Sequence, residues 1–298
     1  MLIRLRNSIL RTLLKFLFKR KSTIEETRAR SDKNMRLMGK LPEEILVEKV
    51  SIDKLNAEWV YTAEANEGKV ILYLHGGGYV TGSAGTHRML CASLTQKVKA
   101  KIFFPEYRLA PEYPFPAALE DATSAYRWLL AQGFEAENIV IAGDSAGGGL
   151  SLATIQALRD DNKPLPAGMI CISPWTDLTM SYESHRSKAN VEPILRADSL
   201  ELWASSYAAD TDLRNPLISP AFADFSGFPS MLIQVGSEEV LLDDAKELAK
   251  KAKFAGVDVT LSIYEGMWHV WHAAGEFLPE SRAAFEVIGE FVQGVWKE

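Results

Sequence analysis

The chain has 298 residues, of which 47% are hydrophobic and 24% are charged, as is ordinary for a globular protein with a sizeable core. Its formal net charge of −6 argues against a general nucleic-acid-binding protein, which needs a basic face. Its two cysteines, Cys91 and Cys171, cannot form a disulfide framework, and no residues with zinc-ligand spacing accompany them. We therefore expect a reducing, cytoplasmic setting, no metal site and no nucleic-acid partner.

The N-terminal segment, residues 1–21, departs from the acidic balance because it contains seven basic residues and no acidic residue. On a helix, its apolar residues form one broad face with Leu2, Leu5, Ile9, Leu13 and Leu17. The basic residues of the opposite face are Arg4, Arg11, Lys15 and Lys19. Charges interrupt the segment too often for a transmembrane span. Two hypotheses remain: a lid folded over the main domain, which we favour, and a helix lying on an anionic membrane surface.

Three strands are predicted between Ile45 and His75, separated by glycine or charged turns. Their sequences are ILVEKVSI, AEWVYTA and KVILYLH. Turns of this kind suit antiparallel neighbours, so we expect the three strands to pair at one edge of a sheet.

Apolar, β-branched strands alternate with helical patterns through the rest of the chain. The strands are KIFFPEY, NIVIAG, AGMICIS, SMLIQVG and VDVTLSIYE. Runs of this kind are typical of strands buried on both faces. The alternation predicts an α/β fold in which a largely parallel, twisted sheet carries helices on both faces.

One stretch, about residues 177–228, contains no predicted strand and only polar or short helical pieces. An insertion of this length in a compact domain is usually functional, for example as a lid. We therefore predict a main domain at residues 45–298 and a helical cap made from this insertion and the N-terminal helices within residues 1–44. Aromatic residues of the insertion favour an acyl or aryl substrate; they are Trp203, Tyr207 and Phe222.

The pentapeptide GDSAG, residues 143–147, lies between a predicted strand and a predicted helix. A nucleophile elbow requires this context, because its serine stands on a sharp, strained turn that bulky neighbours would obstruct. The amides at the start of the following helix would face a developing oxyanion. The alternative is a glycine-rich loop that merely lets the helix pack closely on the sheet.

The HGGGY motif, residues 75–79, directly follows the strand VILYL. Three consecutive glycines free the backbone to turn its amides toward a ligand. Together with the amide of Ala146, they are candidates for an oxyanion hole. A phosphate-binding loop fits less well, because neither the P-loop pattern nor the dinucleotide-binding fingerprint is present.

An acid and a histidine that could complete a catalytic triad follow the last two strands. The acidic candidates are Glu238, Glu239, Asp243 and Asp244. The last two fall a turn into a helix and fit its dipole better than a triad. His269, in EGMWHVW, follows in the chain order serine, acid, histidine, with His272 as its main rival. His87 and His185 lie in poor places for a base.

Six segments together resemble, in order, the signature blocks of the bacterial hormone-sensitive lipase family (family IV carboxylesterases) of α/β hydrolases. They are YLHGGGYVTGS, EYRLAPEYPFPAALEDA, IVIAGDSAGGG, SPWTDLT, QVGSEEVLLDDA and EGMWHVW. The resemblance covers about residues 45–295. It implies the α/β-hydrolase fold, with an eight-stranded, mostly parallel sheet and a helical cap.

The resemblance implies Ser145 as nucleophile, Glu239 as triad acid and His269 as base. It places the oxyanion hole at Gly76, Gly77, Gly78 and Ala146. The family commonly carries aspartate at the acid position, so glutamate there is a mild departure that leaves Glu238 as a competitor.

The implied activity is that of a serine carboxylesterase, which hydrolyses short- to medium-chain acyl esters of small molecules through an acyl-enzyme on Ser145. It needs no metal or organic cofactor. Two alternatives remain: an amidase or deacetylase with the same triad, and a member of the fold that binds a small ligand without catalysis. A homodimer through the exposed edge of the last strand is a further hypothesis from the resemblance.

Overall fold

Eight strands form a single sheet in the computed structural model, which describes residues 2–18, 22–37 and 40–296. The strands are β1 (Ile45–Ile52), β2 (Leu55–Thr62), β3 (Asn66–Leu74), β4 (Ala100–Pro105), β5 (Ile139–Asp144), β6 (Gly168–Ile172), β7 (Ser230–Gly236) and β8 (Val259–Tyr264). Their order across the sheet is β1-β2-β4-β3-β5-β6-β7-β8.

The sheet is antiparallel only at one edge. β1 pairs with β2 and β2 with β4 in antiparallel fashion, whereas every neighbouring pair from β4 to β8 is parallel. The expectation that the first three strands are antiparallel neighbours is therefore wrong for β3, which lies between β4 and β5. Its residues 70–74 are all apolar and fully buried, which suits a position inside a parallel sheet rather than at an edge.

The described part of the chain contains nine α-helices, five of which cover the faces of the sheet. They are α1 (Leu2–Phe18), α2 (Ile24–Leu37), α3 (Ala84–Val98), α4 (Ala117–Ala131), α5 (Ala146–Asp160), α6 (Ser184–Ser187), α7 (Ala197–Ala208), α8 (Leu242–Phe254) and α9 (Pro279–Val295). Side chains of α4, α5 and α8 cover one face, and those of α3 and α9 cover the other. The predicted α/β-hydrolase fold, with helices on both faces of a mostly parallel sheet, is confirmed.

β8 forms the second edge of the sheet and is more exposed than its sequence predicts. Ile263 is 48% exposed, and the strand pairs only with β7. The expectation that this strand is buried on both faces is therefore wrong, because β8 lies at the edge of the sheet rather than at its centre.

The segment between β6 and β7 contains α6, α7 and a short 3-10 helix (Pro220–Phe222) but no strand. It coincides with the predicted insertion. Division of the chain into a cap and a main domain stays a prediction, although helices do occupy both predicted cap segments.

The helix α1 packs on the body of the protein through residues other than Ile9 and Leu13, two of those predicted to be covered. Leu10 and Leu14 contact a buried cluster formed by Met267, Trp268, Trp271, Leu278 and Ala284. Ile9 and Leu13, which we expected to be covered, are 55% and 57% exposed. Lys19 lies outside the described residues, as do the side chains of Leu2, Arg4, Leu5 and Leu17. Within those residues, no helix has the length and apolar character needed to cross a membrane.

The basic residues of α1 explain this orientation. Arg11 forms an ion pair with Glu238 at 3.3 Å, and Arg6 pairs with Glu280. Lys15 donates to the backbone carbonyl of Asn190 in the insertion. These contacts hold the basic side of α1 against the protein. Ile9 and Leu13 lie on another side of the helix and therefore face solvent.

Candidate active site

Ser145 stands at the carboxyl end of β5, on the turn into α5. Its backbone has φ 53° and ψ −123°, a strained combination for a residue with a side chain. The residue is nearly buried, with 6% of its surface exposed. Gly147 is required here because a Cβ atom at this position would lie 2.0 Å from the Leu74 carbonyl oxygen. The turn therefore has the geometry of a nucleophile elbow.

The glycine loop that follows β3 lies beside this turn. Gly77 has φ +117°, and a Cβ atom there would come within 2.2 Å of the Thr81 carbonyl oxygen, so only glycine fits. Within the described residues, the amides of Gly77, Gly78 and Ala146 have no protein hydrogen-bond acceptor. These three N–H groups are available to bind a negatively charged oxygen.

Gly76 plays a different part. Its N–H donates to the buried carboxylate of Asp144 at 3.0 Å, so it is not free to stabilise an oxyanion. The prediction that Gly76 belongs to the oxyanion hole is therefore wrong for its amide. A Cβ atom at Gly76 would lie 2.2 Å from Asp144 Oδ2, so the residue lets the loop approach this carboxylate closely.

Asp144 holds the glycine loop in place through its contact with Gly76. The same oxygen that accepts from Gly76 accepts from the Tyr73 hydroxyl at 2.8 Å and lies 3.5 Å from His87 Nε2. Burial by itself raises the pKa of Asp144, but the charge and hydrogen bond of His87 and the bond from Tyr73 outweigh it and hold the pKa at about 2. Asp144 is thus a carboxylate that fixes the loop, and His87, badly placed for a base, supports it.

Glu239 lies in the loop that follows β7 and is completely buried. Its Oε2 is 2.9 Å from His269 Nδ1. Its Oε1 accepts from the Gly236 amide at 2.6 Å and from the Ser173 hydroxyl at 2.7 Å. Donors on both oxygens fix the carboxylate in one orientation, which in turn fixes the imidazole of His269.

The raised pKa of His269 follows from this pairing. Burial by itself lowers the pKa, but the hydrogen bond and charge of Glu239 outweigh it, with smaller contributions from Glu192 and Asp144. The pKa of His269 therefore lies above its ordinary value. The loop of His269 lies beside the serine turn, because the Val270 N–H donates to the Ser173 hydroxyl and the Ser145 N–H donates to the carbonyl of the adjacent Ile172.

The rival residues are occupied elsewhere. Glu238 pairs with Arg11, so Glu239 rather than Glu238 contacts the histidine. His272 Nε2 is 2.8 Å from Gln234 Oε1, and burial lowers its pKa to about 3. This leaves His269 as the histidine placed to act as a base.

Asp243 and Asp244 occupy the first turn of α8, as expected. Asp244 is completely buried and accepts from the amides of Thr176 and Asp177 at 2.8 and 2.9 Å. Its other oxygen is 2.6 Å from His185 Nε2. Asp244 therefore links the start of the insertion to α8 through these contacts, and it takes no part in the site.

Two residues near the site escaped the sequence analysis. Ser173 directly follows β6, so its place at the carboxyl end of a parallel strand was a usable signal. Glu192 lies in the insertion, where no strand or motif marks it. In the described ranges, no group of three or more histidine, cysteine or acidic side chains is arranged to hold a metal ion.

A family model described as the alpha/beta hydrolase fold matches residues 71–273, more than half of the chain. The chain belongs to the α/β-hydrolase family. This α/β hydrolase is 48% identical over 244 residues to an acetyl-hydrolase from Streptomyces hygroscopicus, with 82% of this chain and 81% of the relative covered. It is 37% identical over 231 residues to an esterase from Acinetobacter venetianus, with 77% and 76% covered.

Solved structures agree with this placement. The crystal structure of an esterase from the bacterial hormone-sensitive lipase family matches the α/β hydrolase with a TM-score of 0.94 and 38% identity, over 98% of both chains. That of an esterase/lipase from an uncultured bacterium matches with a TM-score of 0.92 and 42% identity, over 97% and 98% of the chains. The resemblance to the hormone-sensitive lipase family is confirmed.

Proposed function

We propose that this α/β hydrolase is a serine carboxylesterase that acts on short- to medium-chain acyl esters through an acyl-enzyme on Ser145. The observation that carries the proposal is the buried pair of His269 and Glu239, held through Ser173 beside a serine elbow that has three unengaged amides near it. The names of similar proteins, acetyl-hydrolase and esterase, support the same chemistry.

In the proposed mechanism, His269 takes the proton of Ser145 as the hydroxyl attacks the ester carbonyl. The amides of Gly77, Gly78 and Ala146 bind the oxyanion. Glu239 stabilises the imidazolium that forms, and His269 then gives its proton to the departing alcohol. Water activated by the same histidine hydrolyses the acyl-enzyme.

The cap supports a small-molecule substrate. The ring of Trp203 lies against Gly78, since a Cβ atom there would come within 2.3 Å of the indole. An ester carbonyl bound at Gly78 therefore has an aromatic wall close beside it. This crowding favours short acyl or aryl groups over large ones.

We test the proposal with p-nitrophenyl esters from acetate to decanoate and with the matching p-nitroanilides. Wild type should hydrolyse the esters with a preference for short or medium chains, and Ser145→Ala should lose about a thousandfold or more of the rate. Faster cleavage of the anilides would favour the amidase. No turnover of either series by wild type would favour the ligand-binding alternative.

We propose two further associations and a location. The outward residues Ile9, Leu13 and Phe16 of α1 favour peripheral contact with a lipid surface. The open edge of β8 favours a homodimer through that strand. The two cysteines are free and buried, which supports a reducing, cytoplasmic location.

A further inference from the structure

Glu192 belongs to the insertion between β6 and β7, yet its carboxylate is completely buried against the loop that carries His269. Its Oε2 accepts from the backbone N–H of His269 at 3.2 Å. Its Oε1 accepts from the N–H groups of Ile194 and Leu195 at 2.7 and 3.4 Å. One side chain therefore ties a turn of the insertion to the catalytic loop across 77 positions of sequence.

All of these partners are donors, which is the arrangement that an ionised carboxylate needs. An ionised group is nevertheless costly to bury unless an opposite charge lies nearby. In the described part of the chain, no lysine or arginine forms an ion pair with Glu192. Burial raises its pKa to about 7, and among its neighbours the charge of His269 acts most strongly in the opposite direction.

The positive charge that compensates Glu192 is thus the imidazolium of His269. At a pH above the pKa of His269, this imidazolium forms only when Ser145 has given up its proton. An interaction that strengthens as the transition state is approached raises the rate rather than the affinity for substrate. Glu192 has the position to supply such an interaction at the backbone of His269, whereas Glu239 contacts the ring.

We propose that Glu192 is a positioning residue that holds the loop of His269 in place and favours its protonated form during the reaction. The inference rests on the proposed function, since it concerns the step in which His269 carries a proton. Glu192 has no role in binding the substrate, because it reaches His269 through the backbone amide.

Other charged groups around His269 are accounted for by separate contacts. Glu239 binds Nδ1, and Asp144 acts from the end of β5. His272 packs nearby and is neutral, since burial lowers its pKa to about 3. On α1, Arg11 and Lys15 are engaged with Glu238 and the carbonyl of Asn190. Substitution of Glu192 leaves all of these contacts in place.

The experiment compares wild type with Glu192→Gln, which keeps the size and one acceptor oxygen but removes the charge. Glu183→Gln is the matched control, because it makes the same change at an exposed position of the insertion. For each, kcat and KM for p-nitrophenyl butyrate are measured from about pH 5 to about pH 9. Folding is checked by circular dichroism.

We expect Glu192→Gln to move the acid limb of kcat/KM to lower pH and to lower kcat about tenfold at alkaline pH, with little change in KM. Glu183→Gln should match wild type. A wild-type pH profile and kcat in Glu192→Gln would overturn the inference while leaving the esterase intact. If wild type hydrolysed no ester at all, the proposed function itself would fail.

If Glu192→Gln does not fold, Glu192→Asp is measured in the same way and tests the inference instead. The shorter side chain keeps the negative charge but weakens the bond to the His269 amide. We expect a wild-type acid limb with a reduced kcat, because the charge still favours the imidazolium. An acid limb shifted to lower pH in Glu192→Asp would contradict the inference.

Discussion

At the residue scale, the proposed role of His269 as the base predicts how the reaction depends on pH. Its pKa is raised above 6.5, because the hydrogen bond and charge of Glu239 outweigh the effect of burial. A general base must be neutral, so activity is lost as pH falls through this raised pKa. We expect kcat/KM for p-nitrophenyl butyrate to fall on the acid side with a midpoint above 6.5. A midpoint below that value, or a flat profile, would argue against His269 as the base.

Local pattern made Ser145 and His269 candidates because each follows a predicted strand, and the family resemblance favoured His269 over His272. The sequence placed the acid at Glu239 only through the family resemblance, since four acidic residues competed on local pattern alone. The structure separates them by contact: Glu239 reaches the imidazole, whereas Glu238 turns to Arg11. Local sequence does not encode which of two adjacent side chains points inward after a strand.

Other residues of the site could not be identified for a related reason. Gly76 sits in the predicted loop, but its amide is occupied by Asp144, a contact made 68 positions away. Glu192 meets His269 only because the insertion folds back over the last loop. Contacts between distant segments depend on the packing of the whole chain, and the hydrophobic periodicity of the sequence does not predict them.

At the scale of elements, α1 shows how an amphipathic pattern can predict a helix without predicting its docked face. Its apolar residues are spread widely enough that Leu10 and Leu14 can pack while Ile9 and Leu13 stay exposed. The ion pair of Arg11 with Glu238 then favours one orientation over the other. A helical wheel ranks faces by hydrophobicity and contains no information on such partners.

The exposed face of α1 leads to a prediction about lipid surfaces. The triple variant Ile9→Ser, Leu13→Ser, Phe16→Ser removes the outward apolar side chains, of which Phe16 is 88% exposed. We expect it to lose co-sedimentation with anionic liposomes, because apolar burial in the bilayer interface drives such binding. Hydrolysis of a soluble ester should stay at the wild-type rate, since surface changes cost only about 0.5 kcal/mol or less each.

The control for this variant is Phe254→Ser, which removes an equally exposed aromatic (95% exposed) at the end of α8. It should sediment with liposomes as wild type does. If the triple variant also binds liposomes normally, or if wild type does not bind them, α1 is a lid only. Both outcomes are read from the same sedimentation assay.

At the scale of the whole molecule, the alternation of strands and helices was enough to predict a parallel sheet covered on both faces. The order of the strands was not predictable in the same way. β3 belongs to the centre and β8 to the edge, although both are apolar in sequence. Which strands become edges depends on where each crossover connection adds the next strand to the sheet. Only the complete sheet shows these positions.

The open edge of β8 leads to the last prediction, which concerns assembly. Backbone N–H and C=O groups on this side of the strand lack a partner strand in the described sheet, and a second copy pairing there would satisfy them. We expect light scattering to give about twice the 33.1 kDa of one chain.

Ile263→Lys places a charge on this half-exposed edge and should yield monomers, because edge lysines oppose strand pairing. Leu46→Lys makes the same change on β1 at the other edge, where Leu46 is 44% exposed, and should leave the dimer intact. A monomeric wild type would exclude the dimer, and monomers from Leu46→Lys alone would move the interface to β1.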